Sequence, residues 1–183
     1  GSLIVPATGV YRLTVAGAKA GDGESKRGGK GAILAGEFRL SEGDTLDYLV
    51  GGMSTRSGSQ TGGGGGTFVS RNGKDNPLIV AGGGGGTRGG GSDRDGGDAS
   101  LTEDGGDGTG NNRADGGRGG LGGGSCSSSY GNGGGGYFAD GSSENSCSPG
   151  PGNSFLSGGD CRYGDSGFGG GGGHGSSGGG GGG

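Results

Sequence analysis

The sequence predicts an all-β chain with a polyglycine-II portion. An antiparallel β part carries an inserted bundle of glycine-run helices, with little or no α-helix. Three observations lead there. Residues of the first 81 positions alternate with period two in several short segments. Pure glycine runs abut those segments. No window sustains a 3.6-residue apolar period.

Val10-Tyr11-Arg12-Leu13-Thr14-Val15 alternates, with Tyr11, Leu13 and Val15 on one face. Ile33 to Leu40 is a second strand, placing Leu34, Phe38 and Leu40 together. Ser41-Glu42-Gly43-Asp44 has turn chemistry. Leu46, Tyr48 and Val50 alternate as a third strand. Thr67 to Arg71 runs into Asn72-Gly73, a short-range hairpin signal. Pro77 to Ala81 returns as a continuous apolar run suited to a buried strand. Residues 1–81 therefore read as the antiparallel β portion with the first glycine run. Residues 82–183 read as the polyglycine-II portion, the two forming one integrated domain.

The runs are Gly62–Gly66, Gly82–Gly86, Gly133–Gly136, Gly169–Gly173 and Gly178–Gly183. Glycine makes up 64 of 183 residues, about five times its ordinary share. Such runs are the usual signature of a flexible linker. Here two runs of equal length flank one hairpin, which a linker would not arrange. Polyproline-II-like helices have three residues per turn and no internal hydrogen bonds. If ordered, their N–H and C=O groups must be satisfied laterally by neighbouring segments. Gly64, Gly84, Gly135, Gly171 and Gly180 are the expected lattice positions, where a missing Cβ lets backbones approach. Tyr137-Phe138, Phe155-Leu156 and Phe168 read as anchors that dock the glycine stretches on an apolar patch.

Apolar residues are 23% of the chain. Of the Val, Leu, Ile, Met and Phe residues, 19 of 25 precede residue 82, whereas 45 of the 64 glycines follow it. The C-terminal part cannot build a side-chain core, so backbone hydrogen bonds, crosslinks or neighbouring chains must hold it. The net charge of −4 argues against a nucleic-acid surface, despite RGG triplets at Arg27, Arg88 and Arg118. No apolar run is long enough for a transmembrane helix, so no direct membrane insertion is expected.

No enzyme is expected, because no titratable cluster sits at motif spacing. Gly29-Lys30 is followed by Gly31, not Ser or Thr, and fails the phosphate-loop pattern. The Asp-Gly tracts Asp93–Asp98 and Asp104–Asp107 lack the apolar alternation of calcium repeats and read as solubilising loops. His174 has no second histidine beside it. No catalytic residue, cofactor or metal is therefore expected. Cys126, Cys147 and Cys161 contain no CxxC and are disulfide candidates. Cys147–Cys161 closes the shortest loop, but the pairing stays open. An odd cysteine is left for a free thiol or an interchain link. This usage fits a secreted chain.

Val5-Pro6-Ala7-Thr8-Gly9-Val10-Tyr11, followed by Val15-Ala16-Gly17-Ala18, resembles the opening of the glycine-rich domain of the anaplastic lymphoma kinase and leukocyte tyrosine kinase receptor ectodomains. Gly31-Ala32, Phe38-Arg39-Leu40, Gly43-Asp44-Thr45-Leu46 and Leu49-Val50-Gly51 continue the likeness, as do Gly62–Val69 and Leu78–Gly86. Ser154–Gly159 and Gly167-Phe168-Gly169 onward to Ser176-Ser177-Gly178 extend it over nearly the whole chain. The resemblance implies a tumour-necrosis-factor-like β-sandwich with an inserted, roughly hexagonal polyglycine-II bundle. It also implies a unit that binds protein ligands outside the cell.

The expected function is that of an extracellular structural glycine-rich module, a building block of a secreted filament, appendage or matrix. It would act by self-association or with other extracellular proteins. The alternative is a protein-ligand-binding module of a receptor tyrosine kinase-like ectodomain.

Overall fold

The computed structural model of the chain describes residues 1–55, 57–75, 77–89, 94–108, 114–125, 131–143, 150–160, 166–174 and 178–183. Among them the regular structure is all β, with antiparallel sheets and no helix. Six strands form: β1 Ser2–Ile4, β2 Gly9–Ala16, β3 Ile33–Leu40, β4 Thr45–Leu49, β5 Thr67–Arg71 and β6 Pro77–Ala81. They make a four-stranded sheet of order β1-β4-β5-β6 and a separate β2-β3 hairpin.

The alternation of β2 and β3 explains the hairpin. Tyr11, Leu13 and Val15 face inward with Leu34, Phe38 and Leu40, while Val10, Arg12 and Arg39 point to solvent. This face packs across the gap onto Leu46, Val69 and Ala81 of the larger sheet and onto Val5, just after β1. The chain crosses between sheets at the predicted turn. Gly43 there has φ 84, a conformation that disfavours L side chains. The Asp44 carboxylate accepts from the Ser41 amide at 2.7 Å and from the Asn72 side-chain amide at 2.8 Å, and it pairs with Arg71. These contacts hold its pKa below the ordinary carboxylate value, chiefly through the Ser41 amide. Asn72 (φ 52) starts the β5–β6 connection, and its side-chain oxygen accepts from the Thr45 amide. One small network thus ties both turns together.

Two expectations need correction. The third strand does not keep Leu46, Tyr48 and Val50 on a buried face. Leu46 is buried, Tyr48 is exposed, and Val50 lies beyond the strand at 61% exposure. Leu49 is buried instead, on the opposite face. The four-stranded sheet is covered on both sides at this point, so period two fails there. Its second cover is a cluster of Leu49, Phe68, Tyr137 and Phe155, with Val80 against it. Phe155 stacks on Tyr137 and on Phe68, with ring centroids 4.9 and 5.5 Å apart. Tyr137 and Phe155 are thus anchors as expected. Phe168 is not, being 44% exposed; its carbonyl, not its ring, makes the contact, accepting from the Gly52 amide.

β1 has no counterpart in the sequence reading. Three residues cannot show a period, and its partner β4 is remote in sequence.

Candidate functional site

The glycine stretches hydrogen-bond to one another in steps of three residues. Gly63 and Gly66 donate to Gly172 and Gly169, and Gly83 and Gly86 donate to Gly182 and Gly179, in antiparallel fashion. Gly179 and Gly182 donate to Thr61 and Gly64, and Gly180 and Gly183 to Asn132 and Gly135, in parallel fashion. A β ladder repeats every two residues, whereas a three-residue step suits a segment with three residues per turn.

The β hairpins set this network's register. The β5–β6 pairing of Thr67 with Ala81 continues unshifted to Gly64 with Gly84 and Thr61 with Thr87. The β2–β3 pairing of Val15 with Leu34 continues to Gly17 with Ala32 and Ala20 with Gly29. Strand becomes glycine segment without slipping, and only the step between bonds changes.

Glycine is required here for space and not for backbone angle. None of Gly63–Gly66, Gly82–Gly86, Gly133–Gly136 or Gly178–Gly182 has positive φ. Yet a Cβ on Gly64 would come within 3.0 Å of Ala18 and Lys19 backbone, on Gly84 of Gly29 and Lys30, and on Gly135 of Gly152 and Asn153. Real Cβ atoms essentially never approach that closely. At Gly180 the clash is with the Gly134 nitrogen alone, at 2.8 Å. Gly171 differs from the expectation. It leaves a turn in which Gly169 and Gly170 have φ 100 and 81, and its amide donates to Gly167. It is still tightly packed, against Gly63 and Gly167.

Small side chains serve where the runs end. The buried Thr61 hydroxyl donates to the Gly21 carbonyl at 2.8 Å and accepts from the Thr87 amide at 2.9 Å. The Thr67 hydroxyl joins the Ala16 carbonyl to the Gly51 amide. The threonines flanking Gly62–Gly66 and following Gly82–Gly86 were a readable signal that the sequence reasoning missed.

The aspartate tracts also do more than solubilise. Asp95 and Asp98 accept the amides of Arg27 and Lys30, while Gly96 and Ala99 donate to the carbonyls of those same two residues. Both partners advance by three. Asp107 accepts the Gly116 amide and Asp104 the Gly119 amide, again three apart. Asp140 accepts the Ser154 amide. Each carboxylate satisfies a backbone amide that has no carbonyl acceptor among the bonds above. Asp22 does the same for Gly28, and its bond from Lys19 lowers its pKa most.

A cleft of about 660 Å³ runs beside β6 and is walled by residues of 94–124 and by Tyr137 and Phe138. The Tyr137 side chain is buried, and that burial pushes its pKa up. His174 is buried with its backbone paired to Gly131. No cluster of three His, Cys, Asp or Glu able to hold a metal occurs among the described residues. Cys126, Cys147 and Cys161 lie outside the described residues. No protein-family model and no curated protein matches the chain.

Proposed function

We propose that the chain is an extracellular structural module, a building block of a secreted filament, appendage or matrix, whose rigidity comes from a polyglycine-II lattice on a tumour-necrosis-factor-like β portion. The three-residue hydrogen-bond step between close-packed glycine backbones carries this reading. A lattice of this kind gives stiffness without a side-chain core, which suits a load-bearing spacer more than a catalyst. Electron microscopy of natively secreted material tests it. Filaments with a regular repeat support the structural role. Discrete monomers or dimers overturn it in favour of the second reading, a protein-ligand-binding module of a receptor-like ectodomain. The cleft beside β6 is the observation that favours that alternative.

A further inference from the structure

We propose that the cleft beside β6 is a strand-addition site for an extended, basic and apolar segment of a partner protein. The site goes beyond the structural reading and does not depend on assembly.

The first support is the edge itself. β6 ends the four-stranded sheet, and no described residue hydrogen-bonds to its outer side. Exposed edges carry a row of unused N–H and C=O groups, and proteins normally blunt them with charges, prolines or bulges. Here Pro77 and a bulge at Leu78, which has no partner on β5, blunt the start of the strand. Ile79-Val80-Ala81 has no such protection. Four consecutive residues, Pro77 to Val80, line the cleft, so the strand's edge as well as its side chains faces it.

The second support is the shape and polarity of the walls. Leu34 of β3 stands on one side and the Tyr137–Phe138 pair on the other, with Leu101 at the rim. Leu101 is 73% exposed and Phe138 41%. A strand laid along β6 would turn alternate side chains toward these two walls.

Charge decides the occupant. The lining carries Asp95, Asp98, Glu103, Asp104, Asp107 and Asp115 against Arg88 and Arg94. Arg118 reaches Asp104 and Asp107 at 3.4 and 3.7 Å and cancels one of these charges. With Arg118 counted, the six acids at this rim still exceed the three arginines by three. A second copy would bring the same negative sign to it. A segment with lysine or arginine between apolar residues complements both rim and floor.

The test uses the whole chain and a fluorescent eight-residue peptide of alternating lysine and valine. Binding is read by anisotropy at several salt concentrations, and amide exchange by NMR. The expected result is salt-sensitive binding that slows exchange at alternate amides of Leu78 to Ala81. A glutamate–valine peptide and an all-lysine peptide should bind at least tenfold more weakly. The exposed-site variants Glu103→Lys and Leu101→Asp should each weaken the lysine–valine peptide about threefold or more. The assignment is overturned by absence of binding, by equal binding of the all-lysine peptide, or by binding that leaves β6 exchange unchanged. Light scattering completes the test: self-association that protects β6 would give the edge to a second copy and overturn the basic partner. Imaging of filaments bears on the structural role alone, so the two proposals fail separately.

Discussion

Replacing Gly84 by alanine separates a packed lattice from a linker. Gly84 donates to the Ala18 carbonyl at 3.0 Å and accepts from the Gly64 amide at 2.8 Å. The added methyl would collide with the Gly29 carbonyl, which is backbone and cannot swing aside. Overpacking of this kind costs about 1–3 kcal/mol. Moving residues 28–30 away would also break the bonds from Gly29 to Gly85 and from Ala20 to Gly29, both 2.9 Å, at about 1 kcal/mol each. Alanine restricts the unfolded chain, which offsets about 0.4–1 kcal/mol. The net expectation is a loss of about 2–4 kcal/mol, or a fall in Tm of roughly 4–16 °C for a domain of this size. Gly106 is the control. Its φ is not positive and a Cβ there meets nothing within 4 Å, so Gly106→Ala should be neutral or slightly stabilising. Calorimetry on both variants gives the answer. Equal Tm values for the two would refute close backbone packing at Gly84.

Three further outcomes are expected. Phe155→Ala removes a ring that is 3% exposed between Phe68 and Tyr137, and urea unfolding should show a loss of about 3–5 kcal/mol. Asp98→Ala leaves the Lys30 amide without its acceptor, costing about 1 kcal/mol, and hydrogen exchange should quicken at Lys30 while β2 amides stay unchanged. Asp44 has a folded pKa below its ordinary 3.8, so its stabilisation is present above pH 3.8 and is lost as pH falls through the lower folded value. Asp44→Asn should therefore be less stable than the parent at pH 7, with the gap closing in acid titrations below pH 3.8.

The strands were legible because their side chains alternate against one core. β2 and β3 fall where period two puts them, β5 where the Asn72-Gly73 signal does, and β6 where the apolar run Leu78–Ala81 does. The alternation of Leu46, Tyr48 and Val50 does not show that Leu49 is buried, because a sheet covered on both sides has no single apolar face. Anchoring was legible at Tyr137 and Phe155, where an aromatic follows or precedes a glycine stretch, but the same pattern misled at Phe168. The network of glycine stretches was less legible, since a run without side chains has no pattern to show which neighbour it meets. What could have been read was the spacing around it. Asp95 with Asp98, Asp104 with Asp107, and Arg27 with Lys30 all lie three apart, the step of the hydrogen bonds they make.

The equal lengths of Gly62–Gly66 and Gly82–Gly86 follow from the fold. The two runs extend the β5–β6 hairpin in one unbroken register, so a residue on one run must be matched by a residue on the other. At the far end Thr61 meets Thr87, their hydroxyl oxygens 3.1 Å apart in a buried contact. Side chains at the start of the hairpin, Phe68 and Val69, choose the register because one-residue slips would turn each to the wrong cover. The glycines that follow have no side chains with which to choose, and they inherit that register through the chain. Ten strand residues of β5 and β6 thereby position backbone that could not position itself. That division of labour lets a chain with 23% apolar residues order its glycine portion: side chains fix the alignment at one end, and hydrogen bonds between close-packed backbones propagate it.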